Sequence, residues 1–153
     1  MTAETLTIRP EAAEVVSAEA RAVLAMVQDE ERRGRLADLA AAVEDGEVSG
    51  DDAQALEELL ELGLQSGRLR AVYGPEGEQA ALTLYRRLPR GRELGQAARE
   101  VSSALDALEG RALEKVSVQA LGPCAHVVTV AAEGLELSIR LDRQGARLTT
   151  VGI

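Results

Sequence analysis

Cys124 and His126 are the one cysteine and the one histidine in 153 residues, and they stand two positions apart in the run GPCAHVVTV. On a strand that spacing puts both side chains on one face, where a thiolate beside an imidazole is a nucleophile pair or half of a metal site. The run itself holds no carboxylate, so a triad or a full ligand set would need residues brought from elsewhere in the chain. The structural reading carries more weight: a small buried thiol beside a hydrogen-bonded or edge histidine. Any Ser-His-Asp arrangement would have to be built on His126, and a cysteine-rich zinc site is impossible within one chain.

Two other stretches invite a chemical reading. The acidic loop Asp45 to Asp52, DGEVSGDD, resembles the second half of an EF-hand calcium loop. Aligned that way, the first and third ligand positions fall on Ala41 and Val43, which offer no side-chain oxygen, so calcium is not expected. A turn and a helix capped by Ser49, with Asp51 and Asp52 in its first turn, is the simpler account. The glycines of GPEGEQ lack the Lys-Ser/Thr of a phosphate-binding loop and do not join a strand to a helix in the dinucleotide-binding manner. With Tyr73 and Tyr85 as the only aromatic residues, a stacking platform for a cofactor or single-stranded nucleic acid is nearly absent. The expectation is no catalytic residue, no metal and no cofactor, and therefore a non-enzymatic protein.

Charge is more informative. The net charge is −9, and residues 36–67 carry nine carboxylates with no Lys or Arg. The balance then reverses, with Arg68, Arg70, Arg86, Arg87, Arg90 and Arg92 against Glu76 and Glu78. Two solvated faces of unlike charge are the plain interpretation. The sharper one makes those six arginines a partner-binding surface, for an acidic protein or for the acidic face of another copy.

The elements that must position these residues follow from periodicity. Met1 to Thr7 has little to hold it and reads as a flexible arm. Pro10 opens a helix carrying Val16, Ala20, Val23, Leu24 and Val27. Gly34 is expected to break or bend the chain before a short helix that carries Leu36, Leu39, Ala40 and Val43 and ends near Asp45-Gly46, and a third helix presents Leu56, Leu59, Leu60, Gly63 and Leu64. Residues 67–74 read as a short strand or an extended connector. The next segment has two solutions. As a strand, Ala80, Leu82 and Leu84 alternate, and residues 68–88 become the wing of a winged helix-turn-helix. As a helix, it has Pro75 at its start, Glu76 and Glu78 in its first turn, Arg86 and Arg87 in its last, and Pro89 as its stop. Propensity, dipole and breakers agree on the helix.

A long helix from Gly91 to Leu108 follows, with Leu94, Ala98, Val101, Leu105 and Leu108 on one stripe. After Gly110 the period falls to two. Val116, Val118 and Ala120, then residues 126–131, then Leu135 to Leu141, then residues 148–153 read as strands joined by short turns. The chain is thus expected to be α+β: an arm (1–7), a helical part (8–88) with a helix-turn-helix-like pattern, and a helix with an antiparallel meander of three or four strands (89–153).

No stretch approaches the length of a membrane span, and the first ten residues lack a basic start and an apolar run, so a cytoplasmic protein is expected. The function read from this is an adaptor, assembly or regulatory factor acting through an unknown protein partner or self-association. DNA binding by a winged helix-turn-helix ranks second, because the exposed residues of the third helix are carboxylates that phosphates would repel.

Overall fold

A computed structural model describes residues 4–153. It divides into two compact units, Met1–Arg90 and Gly91–Ile153.

The first unit is helical. Helix α1 (Pro10–Met26) opens with Pro10 in its first turn and buries Val16 and Ala20 completely. Helix α2 (Glu30–Asp45) starts earlier than the glycine argument predicts. The Asp29 carboxylate accepts a hydrogen bond from the Arg32 amide at 3.1 Å, and Glu30 and Glu31 occupy the first turn, so cap and dipole together set the start. Gly34 lies within the helix, at no more than its intrinsic propensity cost. At the other end Gly46 adopts φ 84°, a left-handed cap that carries the chain into strand β2 (Glu47–Val48).

Strand β2 pairs antiparallel with β1 (Leu6–Thr7), Leu6 opposite Val48. The expected arm is therefore tied down at Leu6 and Thr7; residues 1–3 lie outside the described residues. The cap of α3 (Asp51–Gln65) is Gly50 rather than Ser49, and Ser49 contributes its carbonyl to the Asp52 amide at 3.2 Å.

Helix α4 (Arg68–Tyr85) overturns the strand or connector expected at 67–74. Residues 68–73 are helical because Leu69 is fully buried and sits against Gly63 of α3, where a β-carbon would come within 2.8 Å of the Leu69 Cγ. Gly74, at φ 73° and ψ −179°, bends the helix, and Pro75 starts its second half as the sequence indicates. The helix ends at Tyr85, with Leu88 held by its amide to the Tyr85 carbonyl at 3.0 Å. Neither arm of a wing exists between Arg68 and Tyr85. Leu39, Val43, Leu56, Leu60, Leu69 and Ala81 join Val16 and Ala20 at zero exposure to form this unit's core.

The second unit holds helix α5 (Pro89–Leu105) from Gly91 onward, a 3₁₀ turn (Asp106–Leu108) and strands β3 (Leu113–Gly122), β4 (Ala125–Ala132), β5 (Leu135–Asp142) and β6 (Gly145–Gly152). They form an antiparallel meander in the order β3-β4-β5-β6, so the α+β class holds. Opposed residues share a face, so the register places Val116, Val118, Val128, Val130, Leu137, Ile139, Leu148 and Val151 together. Ser117, Gln119, Thr129, Ser138, Arg140 and Arg147 line the other face. Leu108, Ala132 and Leu137 form the buried centre, with Ala104, Leu105, Val130 and Leu135 packed around it. Of the predicted stripe on α5 and the turn after it, Val101 and Leu108 are buried and Leu94 and Leu105 half-buried, while Ala98 is exposed. The β4–β5 turn has Glu133 at φ 44° and Gly134 at φ 84°, the positive pair that matches the twist of a tight hairpin.

Candidate functional site

Cys124 does not lie on a strand. It occupies the β3–β4 turn after Pro123 with φ 58°, and it is exposed, so the two-residue spacing no longer implies a face shared with His126. His126 is exposed on β4, opposite Ala120 and Leu141. Arg143 Nη2 donates to the thiol, 3.9 Å from Sγ. Among the described residues no three His, Cys, Asp or Glu side chains are grouped so as to hold a metal ion.

The arginines are partly engaged within the chain. Arg68 Nε lies 2.7 Å from the Glu19 carboxylate, which is 2 % exposed, and Arg70 Nη1 lies 3.3 Å from Glu78. Arg90 Nε donates to Glu61 at 3.3 Å, its amide donates to Glu57, and Arg87 Nη1 donates to the Thr7 carbonyl at 2.9 Å. Arg86 and Arg92 are exposed. The acidic and basic runs that look like separate faces in the sequence are thus joined at Glu57, Glu61 and Arg90. A carboxylate already beside a guanidinium reduces what that guanidinium gains from a phosphate or an acidic partner.

Both tyrosines end on these same carboxylates. Tyr73 donates to Glu19 and Tyr85 to Glu61, each at 2.9 Å. Burial, then the hydrogen bond to Glu19 and its negative charge, push the Tyr73 phenol up to about 12. Burial likewise raises Tyr85, with help from the hydrogen bond to Glu61 and from the charges of Glu61 and Glu57. The hydrogen bond to Glu19 also raises Arg68. These are struts: one ties α1 to α4, the other α3 to α4. Among the described residues no buried side-chain nitrogen or oxygen lacks a hydrogen-bond partner, so no polar group stands ready for a ligand inside the fold. A groove of about 490 Å³ between the start of α1 and the second half of α4 has Arg9 and Arg87 at its rim, but Arg87 is bonded to Thr7.

The sheet presents a different kind of surface. All ten residues of β3 are exposed, including Leu113, Val116 (60 %), Val118 (66 %) and Leu121. Val116 and Val118 continue the apolar face that is buried on β5 at Leu137 and Ile139, and on β3 that face lies open. As the first strand of the meander, β3 also carries an outer edge with no strand beside it. The alternation of Val116, Val118 and Ala120 identifies the face from sequence alone. That the helix covers β4 and β5 but stops short of β3 depends on strand order, which alternation does not encode.

Compared with known proteins, the chain matches no protein family's model, no curated protein and no solved structure at a significant level.

Proposed function

We propose that this is a non-enzymatic cytosolic protein that acts through protein contacts, as an adaptor, assembly or regulatory factor, and that its contact surface is the open β3 side of the C-terminal sheet. One observation carries the reading: a ten-residue edge strand, exposed along its whole length, that displays Leu113, Val116, Val118 and Leu121 at half exposure or more. Scattered apolar side chains are ordinary on a protein surface, whereas Val116 and Val118, adjacent on one face and 60 % and 66 % exposed beside an unpaired backbone edge, are the kind of feature that strand-adding partners use. Arg68, Arg70, Arg87, Arg90 and Arg92, among the six arginines proposed from sequence, are already engaged within the chain, so the arginine segment supports a contact surface less well than β3 does.

The test is site-specific capture in the host cell with a photoreactive residue at Val118 or, for comparison, at Arg86. Cross-links to protein from position 118, lost when Val116 is replaced by lysine, are expected. Cross-links from position 86 alone, or salt-sensitive retention on duplex DNA abolished by reversing Arg86 and Arg87 to glutamate, contradict the proposal and favour the basic segment or the DNA reading.

A further inference from the structure

We infer that the groove between the start of α1 and the second half of α4 binds a small aliphatic monocarboxylate, its anionic head at Arg9 and Arg87 and its alkyl tail over Ala12, Ala80 and Leu84. The inference concerns the helical unit alone and stands apart from the reading of β3 as a contact surface.

The groove is open because small residues line it. Ala12 contributes from α1 and Ala80 from α4, with Leu84, 2 % exposed, one turn beyond Ala80. A leucine at position 80 would fill much of this space. With methyl-sized side chains a hollow of about 490 Å³ remains, within the range that holds small organic ligands. No aromatic side chain lines it, so a planar ring finds no stacking partner there, whereas an alkyl chain gains by leaving water. From Gln79 to Arg87 the α4 wall is about 12 Å long at the helical rise per residue, the reach of a medium-length alkyl chain.

Charge gives the groove a direction and selects the head group. Arg9 and Arg87 stand at the end where the chain enters α1 and leaves α4. Among the described residues the Arg9 guanidinium has no side-chain partner. Arg87 uses one Nη1 N–H on the Thr7 carbonyl at 2.9 Å; that bond holds the guanidinium in place and leaves the rest of its fork for a carboxylate. On a chain of net charge −9 most of the surface repels an anion, so two guanidinium groups beside an apolar floor are a local exception. The other end is acidic. Glu11 and Ala80 are shared with a neighbouring hollow that Glu14 and Glu76 also line. A second negative charge on the ligand would meet Glu11 there, so the groove suits one anionic head with a neutral tail and disfavours a dicarboxylate of equal length.

Titration of the isotope-labelled full chain with decanoate, below its micelle concentration and followed by backbone amide resonances, tests the site. Saturable shifts at Ala12, Ala80 and Leu84 are expected, with decanedioate and decylammonium binding at least tenfold more weakly. Arg9→Gln should weaken decanoate by about tenfold or more, the loss of a hydrogen bond between charged groups. Ala80→Leu should abolish binding by filling the groove, with an unchanged circular dichroism spectrum, because Ala80 is only half-buried and leucine is a good helix former. Val118→Lys on β3 should bind as the unaltered chain does. Equal affinity for decanoate and decanedioate overturns the assigned direction, and undiminished binding in Ala80→Leu overturns the site. Shifts centred on β3 and lost in Val118→Lys overturn it in favour of the sheet. Retention on phosphatidylglycerol vesicles without a response to decanoate overturns it in favour of a lipid surface, and the absence of any saturable shift overturns it outright.

Discussion

Tyr73 and Tyr85 show how far a single residue's surroundings can be tested, because the chain has no other tyrosine and no tryptophan to blur the signal. Each phenol is raised above its ordinary value, Tyr73 to about 12, by burial and by a carboxylate partner. A phenol raised on folding contributes stability that is fully present below its unfolded value of about 10 and is lost as pH rises through the folded value. Phenolate absorbance is therefore expected to stay low past pH 10 in the folded protein and to rise near 10 in denaturant; a native midpoint near 10 would break the account of both struts. In Glu19→Gln the Tyr73 step should move down while Tyr85 stays. Cys124 supplies a second residue-scale prediction. It holds φ 58°, where a β-carbon is strained, so Cys124→Gly should raise stability by about 0.5–1 kcal/mol in urea unfolding, and Cys124→Ser should be near neutral. Loss of stability in Cys124→Gly would show that the thiol has a structural role beyond the turn. The sequence marks Cys124 and His126 as chemically notable but says nothing of positive φ, which arises in the two-residue turn Pro123-Cys124.

At the scale of elements, the strands were legible and the helix joints were not. Period-two alternation after Gly110 placed β3 to β6, because a sheet with one polar face writes its geometry directly into the sequence. The break between α1 and α2 falls at Asp29 and not at Gly34, because one capping carboxylate decides the boundary. The first turns of α4 leave no helical signature in the sequence because their helicity comes from a tertiary contact, Leu69 lodged against Gly63. That contact makes a measurable claim. Gly63→Ala would gain up to about 1 kcal/mol of helix propensity in isolation, yet a β-carbon 2.8 Å from the Leu69 Cγ must displace a fully buried side chain. A net loss of about 1–3 kcal/mol is expected from thermal or urea unfolding, in line with overpacked cores. A stabilised Gly63→Ala would mean that the two helices are not in close contact there.

For the whole molecule, charge was the most visible property of the sequence and the least direct guide to a working surface. The acidic and arginine-rich runs are partly consumed by Glu19, Glu57, Glu61 and Glu78, and among the described residues no helix is long and apolar enough to cross a membrane. What composition hid is the distribution of apolar surface: the helical unit closes a core of aliphatic side chains, whereas the sheet leaves the apolar face of β3 open. The central claim is that this edge is where the molecule meets another protein. Photo-cross-linking in the host cell from residues placed on β3, on β6 and just after α4 tests it most directly, because it reports both whether a surface is covered and which one. The account predicts protein adducts from Val116 and Val118 and none from Val151 on β6 or from Arg86. Adducts from Val151 or Arg86 alone, or none from any of these positions, would contradict it.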